Sequence, residues 1–273
     1  MSISTPTVPD LAHLHQLAST LKLHGLLAHW DELTDEQHRW TSTWLEWEEH
    51  ERTRRTLERR MSAARIGTFK PLSEFDWQWP KRCDKAAISE AMTLGFVKQA
   101  GNIVLLGSNG LGKSTIAQNI TYQAVMHGHS ALYVNAAHML GDLAAQDGDL
   151  ALRRRIKHYA RPDVLTIDEI GYMTYGDRHA DLLFEIINRR YETKSTVVTT
   201  NKAFGEWADM FPDNGSVVAI VDRLVHHSDI IVIEGDSYRM HEAKQRASKK
   251  RGVTNKSPST KPANKTTNKE PIS

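Results

Sequence analysis

Apolar residues in the first 68 positions recur at helical spacing among many polar ones. Five leucines open the pattern, Gly25 interrupts it and a second run resumes it: Leu11, Leu14, Leu17, Leu21 and Leu23, then Leu26, Leu27 and Trp30. Trp40, Trp44 and Trp47 fall at i, i+4 and i+7, so they would line one face of a further helix. We expect that face to pack against the first helices, with base stacking as an alternative. The pattern predicts a small all-α N-terminal domain over residues 1–68.

The pattern changes after residue 84, where short runs of aliphatic and β-branched residues alternate with helical stretches. The predicted strands are residues 103–106, 131–134, 164–167, 196–199 and 230–233. The predicted helices are residues 113–127, 137–146, 150–160, 179–191 and 217–226. Such alternation is typical of a parallel sheet between two layers of helices. We therefore predict an α/β fold with a parallel five-stranded sheet in a domain over residues 69–243, of which residues 69–82 form a linker.

Composition narrows the class of protein further. The chain has 273 residues, a hydrophobic fraction of 40% and one cysteine, Cys83. No apolar run approaches the roughly 20 residues that span a bilayer, and the N-terminus lacks the pattern of a secretory signal. A single cysteine excludes an intrachain disulfide. These features predict a cytoplasmic protein that does not cross a membrane.

The formal net charge of +2 conceals an uneven distribution. Residues 244–273 are rich in lysine, serine, threonine and asparagine and nearly free of apolar side chains, which predicts a disordered basic tail. Such a tail either solubilises the protein or attracts nucleic acid. In the N-terminal domain, Arg52, Arg55 and Arg59 share one helix face. That face is either simply solvated, or it follows the phosphate backbone of DNA.

One glycine-rich motif lies between a predicted strand and a predicted helix. Gly107, Ser108, Asn109, Gly110, Leu111, Gly112, Lys113 and Ser114 match G-x-x-x-x-G-K-[ST] at every fixed position, and Thr115 follows. The glycines let backbone N–H groups converge on phosphate oxygens at a helix N-terminus. Lys113 would reach the β- and γ-phosphates and Ser114 would ligate magnesium. The motif predicts a site for ATP and Mg²⁺, beside which the linker aromatics (Phe75, Trp77 and Trp79) either cover the adenine ring or pack on the core.

Polar residues also end the later predicted strands. Asp168 and Glu169 close a hydrophobic strand, where two adjacent carboxylates are costly without a cation. Asp168 would hold Mg²⁺, and Glu169 would polarise the attacking water. Asn201 follows the next strand and could orient that water at the carboxyl edge of the sheet. Arg223 and Arg239 come later and could compensate the charge of the transferred phosphoryl group, although isolated arginines are more often surface residues.

Four segments together resemble a known family: GSNGLGKS, VLTIDEIGY, the strand leading to TTN, and IVDRLVHHSDIIVIEGDSYR. They are similar to the IstB-type ATPases, AAA+ proteins of bacterial insertion sequences and relatives of the DnaC and DnaI helicase loaders. The resemblance covers about residues 10–243. It implies an AAA+ core, with Lys113 and Ser114 as the Walker A pair and Asp168 and Glu169 as the Walker B pair.

The same resemblance implies further roles. Asn201 matches sensor 1, Arg239 matches sensor 2, and Arg223 matches the arginine finger that reaches the ATP of a neighbouring subunit. The implied protein is a homo-oligomer, ring or helical, that hydrolyses ATP while it assembles on double-stranded DNA, mainly without sequence preference. It would present target DNA to a transposase encoded by the same element. The alternatives are a replicative helicase loader of the DnaC/DnaI type and, from another class, a small-molecule P-loop kinase.

Overall fold

The structure, a computed structural model, describes residues 10–172, 176–211 and 214–242. The predicted basic tail therefore lies outside the described residues. The α-helices are α1 (Leu11–Thr20), α2 (His24–Ala28), α3 (Asp35–Ala64), α4 (Lys85–Met92), α5 (Gly95–Lys98), α6 (Lys113–Met126), α7 (Ala136–Ala144), α8 (Asp149–Ala160), α9 (Asp177–Arg190) and α10 (Asn214–His226). Short 3-10 helices span Trp30–Glu32, Leu72–Glu74 and Phe204–Asp209. No described helix combines the length and the apolar character needed to cross a membrane.

A six-stranded sheet forms the centre of the molecule. Its strands are β1 (Arg82–Cys83), β2 (Asn102–Gly107), β3 (Ala131–Asn135), β4 (Val164–Ile170), β5 (Ser195–Thr200) and β6 (Ser228–Glu234). They are ordered β1-β6-β2-β5-β4-β3, and all neighbours are parallel except β1 and β6. The five predicted parallel strands are confirmed. The predicted number of strands is one too low, because β1 has only two residues and no hydrophobic pattern.

The order of the strands brings the predicted chemical residues together. β5 lies between β2 and β4, and all three run in the same direction, so their carboxyl ends meet at one edge. β5 is buried along its whole length, and β2 and β4 over most of theirs, because helices cover both faces of the sheet. One core cluster includes Val104, Leu165 and Val198, and the other includes Ile103, Leu105 and Val197. The sheet therefore provides a rigid support for loops at its carboxyl edge.

The first two helices form a small hydrophobic cluster of their own. Leu14, Leu17, Ala18 and Leu21 of α1 and the following turn pack against Leu45 of α3. The expectation that Gly25 interrupts the helical run is wrong. The chain turns at Lys22, whose φ is 58°, and Gly25 lies inside α2.

Helix α3 continues for 30 residues from a Thr34 capping box to Arg65, which has a left-handed conformation. The expectation that its tryptophans pack against the first helices is wrong: Trp40, Trp44 and Trp47 are 50%, 54% and 65% exposed. The buried face of this half of α3 carries His38 and Leu45 instead. Because those residues are seven apart, they define a stripe that the tryptophan positions do not share.

The C-terminal half of α3 packs mainly on the hydrophobic cluster beside the sheet, and Arg52 also donates to the carbonyl of Leu21. Ala64 and the following Ile66 are buried in the cluster that contains Ile103 and Ile116, and Leu57 and Met61 pack against it. Helix α3 contacts both α6 and β3. The domain boundary at residue 68 stays a prediction, and the contacts show that one helix joins the two regions.

Candidate functional site

The glycine-rich motif forms the turn between β2 and α6, as the sequence predicts. β2 ends at Gly107 and α6 begins at Lys113. Gly112 caps the helix with a φ of 86°, and Gly110 has a φ of 80°. Non-glycine residues rarely adopt this left-handed conformation. The first N–H groups of α6 have no partner within the helix, so the loop offers donors to an anion.

Close neighbours also leave no space for a side chain at any of the three glycines of the motif. A side chain at Gly107 would collide with the carbonyl oxygen of Ile233, and one at Gly110 would collide with Ser237. At Gly112 it would meet the ring of Phe75. The loop is therefore held between the end of β6 and the segment before β1. The motif alone gives no indication of these packing contacts.

The side chain of Lys113 lies under the loop. Its Nζ donates to the carbonyl oxygens of Gly107 and Ser108 at 2.7 and 2.8 Å. The residue is only 5% exposed. Burial lowers the pKa of its ammonium group to about 8, and the nearby Asp168 carboxylate opposes part of that shift. The ammonium group therefore lies beneath the loop that would enclose phosphate oxygens.

Asp168 accepts hydrogen bonds from three hydroxyl groups. Ser114 donates from 3.0 Å, and Thr199 and Tyr133 donate as well. Burial and the adjacent Asp168 carboxylate raise the pKa of Tyr133 above its usual range, so its phenol is a neutral donor. The sequence analysis did not identify Tyr133 and Thr199, which are ordinary strand residues in sequence terms.

The residues present fit a magnesium ion. Ser114 Oγ and Asp168 Oδ1 are oxygen ligands 3.0 Å apart, one in the first turn of α6 and one near the end of β4. Mg²⁺ prefers such oxygen ligands and completes its shell with phosphate oxygens and water. These two residues could therefore hold the ion beside the phosphates of a nucleotide.

Glu169 adopts a strained backbone conformation, with a φ of 64°. Its N–H donates to Thr199 Oγ1 at 2.8 Å. Its carboxylate accepts from Asn135 Nδ2 at 2.7 Å, at the end of β3. Asn135, which was not identified from the sequence, thus fixes the carboxylate of the predicted base.

Asn201 lies just past the end of β5, between the strands that carry the glycine-rich loop and Glu169. Its Oδ1 is buried and has no hydrogen-bond partner among the described residues. It lies close to Gly171, where an added Cβ would be 3.1 Å from that oxygen. A buried acceptor without a partner is unusual in native structures, which is consistent with a group that contacts water or ligand.

A cavity of about 250 Å³ adjoins the loop. Lys113, Ser114 and Arg239 are among its lining residues, and Phe75, Trp79 and Tyr238 supply aromatic surface. Trp79 Nε1 donates to the carbonyl of Asp236 at 2.7 Å, which joins segments 157 residues apart. The lining therefore combines charged and aromatic side chains, which suit the phosphates and the base of a nucleotide.

The structure distinguishes among the linker aromatics. Trp79 lines the cavity, and Phe75 both lines it and packs against Gly112. Trp77 packs against Phe75 and lies under Lys85 Nζ instead. The sequence left their role open, and two of the three are placed to contact a base.

The same linker is fastened to α6. Asn119 donates from Nδ2 to the carbonyl of Lys70 and accepts from the N–H of Leu72, both at 2.9 Å. Gln118 donates to the carbonyl of Ile66 at 3.1 Å. The chain that leaves α3 therefore runs along the helix that begins at Lys113.

The two late arginines lie in different places. Arg239 lines the cavity, within electrostatic reach of Lys113. Arg223 lies in the last turn of α10, where its guanidinium stacks over Phe184 at 4.8 Å and contacts the carbonyl of Ala219. α10 leads into the amino end of β6, so Arg223 is at the opposite edge of the sheet from the loop. The structure does not bring Arg223 to its own chain's cavity.

Of the three arginines predicted to contact DNA, two are already paired. Arg52 binds Glu48 and the carbonyl of Leu21, and Arg55 binds Glu51 at 2.6 Å. Hydrogen bonds from Arg54 and Arg55 lower the pKa of Glu51 to about 2. Arg59 makes no ion pair with any residue that the structure describes.

In the parallel sheet, one strand lies between the phosphate-loop strand and the acidic strand. This arrangement, with Lys113, Asp168 and Glu169, defines a P-loop ATPase of the AAA+ class. The chain belongs to the IstB-like ATP binding protein family, whose profile matches residues 16–247. It is 33% identical over 239 residues to the insertion sequence IS21 ATP-binding protein of Pseudomonas aeruginosa, covering 85% of this chain and 90% of that protein. It is 32% identical over 207 residues to the IS5376 ATP-binding protein of Geobacillus stearothermophilus, covering 76% and 82%.

Solved structures agree with this class at the level of the fold. The crystal structure of DnaI superposes with a TM-score of 0.51 at 20% identity, over 63% of this chain and 93% of that one. DnaA from Aquifex aeolicus, bound to AMPPCP, gives a TM-score of 0.52 at 18% identity, over 68% and 56%. At such identities the likeness shows an AAA+ fold and no more. The relatives offer no support for a small-molecule kinase.

Proposed function

We propose that this AAA+ ATPase is a transposition helper that assembles on duplex DNA with ATP and presents target DNA to a transposase encoded by the same element. The observation that carries the proposal is the likeness to insertion sequence ATP-binding proteins over most of their length. An intact set of hydrolytic residues at the carboxyl edge supports it. Such a protein acts where DNA and transposase meet, so we expect it in the cytoplasm.

Each residue of the cavity has a separate task in ATP hydrolysis. Lys113 and the N–H groups of the loop, from Gly107 to Thr115, bind the phosphates. Ser114 and Asp168 would hold Mg²⁺, and the ion would supply positive charge to neutralise the phosphates. Arg239 adds a positive charge from the same chain. Phe75 and Trp79 offer aromatic surface to the base.

Glu169 and Asn201 act on water. Glu169 takes a proton from the attacking water, and Asn201 offers its free amide oxygen to orient that water. Asn135 holds the Glu169 carboxylate at 2.7 Å. A base engaged in that hydrogen bond is a weaker acceptor for a proton, so release of Glu169 from Asn135 precedes efficient hydrolysis.

Arg223 serves the nucleotide of a neighbouring subunit. Its place at the amino edge of the sheet keeps it from its own cavity. An arginine that completes the next subunit's site requires a head-to-tail contact, which produces a ring or a helical filament. Hydrolysis therefore requires the homo-oligomer.

DNA contact is assigned to the helical region and the basic tail, neither of which carries a recognisable base-reading motif in its sequence. Residues 1–68 are proposed as the DNA- or partner-binding domain, residues 69–243 as the ATPase, and residues 244–273 as a disordered tail. Within α3, only Arg59 of the predicted trio is free of an ion pair among the described residues. Contacts to phosphates alone predict binding that is mainly non-specific and strongly salt-sensitive.

The decisive experiment combines the protein, duplex DNA and the transposase encoded beside it. With ATP, the protein should bind DNA of any sequence and should raise strand transfer into that DNA. Glu169→Gln should keep a persistent DNA complex, and Lys113→Ala is the control that should form none. Absence of any effect on strand transfer, together with binding to a replicative helicase, would support the loader alternative instead.

A further inference from the structure

Two histidines and one glutamate come together at the amino edge of the sheet. His226 is the last residue of α10, His227 directly follows it, and Glu192 lies in the turn after α9. One potential ligand atom from each residue lies within 4.8 Å of the other two. All three residues are exposed, so an ion can reach them from solvent. We call these three residues the His-His-Glu cluster.

The distance between two of these ligand atoms matches the spacing around a tetrahedral zinc ion. His227 Nε2 lies 3.5 Å from Glu192 Oε1, which is longer than an ordinary N–H···O hydrogen bond. Zinc–ligand bonds of about 2.0 to 2.1 Å at tetrahedral angles place neighbouring ligand atoms about 3.3 to 3.4 Å apart. The observed separation therefore suits an ion that bridges the two side chains.

The ring of His226 has a hydrogen-bond partner of the kind that ligating histidines use. Its Nδ1 lies 2.8 Å from the hydroxyl oxygen of Tyr191. When Nδ1 carries the proton, it donates to that oxygen, and Nε2 keeps the lone pair that a metal ion needs. Ligating histidines commonly donate their second ring nitrogen to an oxygen atom, which fixes the tautomer and the orientation of the ring. Tyr191 is therefore placed as an outer partner of the cluster.

The backbone at both ends of the cluster is held in place before any ion binds. The carbonyl of His227 accepts from the N–H of Asn102 at 2.7 Å, which ties it to the start of β2. Near Glu192, the buried guanidinium of Arg190 donates to the carbonyl of Pro162 at 2.8 Å. Ligands on segments that are fixed in advance lose less conformational entropy when they bind.

The ligand chemistry favours zinc or a similar transition metal over magnesium. Imidazole nitrogen suits Zn²⁺, Cu²⁺, Ni²⁺ and Fe²⁺, whereas Mg²⁺ prefers oxygen ligands. Two histidines and one glutamate leave the fourth position of a tetrahedral zinc ion open to water. A cavity of about 390 Å³ is lined by both histidines and by Asp229, so water has access to the cluster and a further carboxylate lies beside it.

We propose that His226, His227 and Glu192 bind one transition-metal ion of the zinc type, which ties the end of α9 to the end of α10. The two helices already pack against each other, and the ion adds a link where both of them end. Helix α10 also carries Arg223, three residues before His226, so the link holds the turn that presents this arginine. The inference is independent of the proposed function, because it rests on the amino edge and not on the ATP cavity.

Zinc titrations with matched double variants test the site. The test variant combines His226→Gln and His227→Gln, and the control combines His127→Gln and His129→Gln, two neighbouring histidines at the end of α6 and outside the cluster. Binding of Zn²⁺ to the full chain without a polyhistidine tag is measured by calorimetry. Excess Mg²⁺ is present to occupy sites made of oxygen ligands. Thermal unfolding of each protein is followed with and without Zn²⁺.

The unchanged protein and the control should each bind one Zn²⁺ per chain at the cluster. Zn²⁺ should also raise their midpoint of thermal unfolding, because a ligand of the folded state stabilises it. The test variant should lose both the binding event and the rise. Tyr191→Phe should weaken Zn²⁺ binding by about 10- to 100-fold, the usual effect of losing an outer partner. Glu192→Gln should weaken it at least as much, since it removes a ligand.

Unaltered affinity and stoichiometry for Zn²⁺ in the test variant overturn the inference, because the ion then binds elsewhere. A loss of the same size in the control does so as well. Absence of Zn²⁺ binding by the unchanged protein also overturns it, and so does a rise in the unfolding midpoint that survives Glu192→Gln. All of these results leave the proposed function intact, because ATP binding and strand transfer are measured separately at the opposite edge of the sheet.

Discussion

The two edges of the parallel sheet carry different parts of the chemistry. At the carboxyl edge, β2, β4 and β5 bring the phosphate loop, the Asp168–Glu169 pair and Asn201 together. At the amino edge, α10 places Arg223 next to the start of β6. The first edge is a dense network of buried hydrogen bonds, whereas the contacts of Arg223 among the described residues are with one aromatic ring and one carbonyl.

This difference indicates which steps one chain can perform alone. All the predicted phosphate and magnesium ligands lie at the carboxyl edge, so a single chain should bind ATP. The arginine at the amino edge has no route to its own cavity, so hydrolysis should need a second chain. Binding and hydrolysis should therefore respond to mutations at different edges.

The largest effect should come from the amino edge. Arg223→Ala should lower ATP hydrolysis by on the order of 10³ to 10⁵, because an arginine finger in other P-loop enzymes has that effect. ATP binding by the monomer should stay near normal. Steady-state phosphate release and equilibrium nucleotide binding measure the two quantities.

Mixing subunits sharpens this test. Arg223→Ala and Lys113→Ala proteins are each expected to be inactive, but their mixture contains interfaces with an intact loop on one side and an intact arginine on the other. Partial activity should return. If the mixture stays inactive although both proteins fold, Arg223 does not complete the site of a neighbouring subunit. The same conclusion follows if Arg223→Ala alone hydrolyses ATP normally.

At the carboxyl edge, Glu169→Gln should lower hydrolysis by on the order of 10² to 10⁴, the usual contribution of a general base. The amide is nearly isosteric and Asp168 remains, so ATP binding should persist. Rapid phosphate release close to the unchanged rate would show that another group activates the water.

Lys113→Ala should weaken ATP binding by roughly 10- to 150-fold, since hydrogen bonds to charged groups contribute about 1.5 to 3 kcal/mol. Lys85→Ala is a suitable control, because that lysine lies over Trp77 and does not line the cavity. Titration with a fluorescent ATP analogue measures both variants. Unchanged affinity in Lys113→Ala would contradict the assignment of the phosphate site.

The smallest effect concerns pH. Burial lowers the pKa of Lys113 to about 8, so above that pH the free protein loses the charge that phosphates require. ATP affinity should fall as pH rises from 8 to 9. Folding stability should change in the opposite direction, because above pH 8 the unfolded chain binds the extra proton, and the free energy of unfolding rises with pH. Lys113→Met should remove both trends.

Local motifs made much of the site predictable. The loop, the two carboxylates and Asn201 each follow a strand whose hydrophobic run is visible in the sequence, and parallel strands must place them at one edge. Asn135 and Tyr133 were not predictable, since their roles arise only when β3 pairs with β4. Trp79 and Tyr238 share a cavity because the ends of the ATPase domain meet, a long-range contact that no local pattern encodes.

Surface charge was the least predictable feature. Arg52 and Arg55 have the spacing of a basic face, yet each pairs with a glutamate four residues earlier. The exposed tryptophans of α3 were also not predictable. Their helical spacing places them on one face, but spacing does not show whether another element covers that face.

The fastening of the linker to α6 has a consequence for how the protein would respond to proteases. Residues 66–72 are hydrogen-bonded to Gln118 and Asn119, and the next residues form a wall of the cavity. A nucleotide in that cavity contacts both the start of α6 and the linker, so it should suppress local opening of the linker. Cleavage between the helical region and the ATPase core should slow when ATP is bound, and the N-terminal helices would thereby sense occupancy without touching the nucleotide.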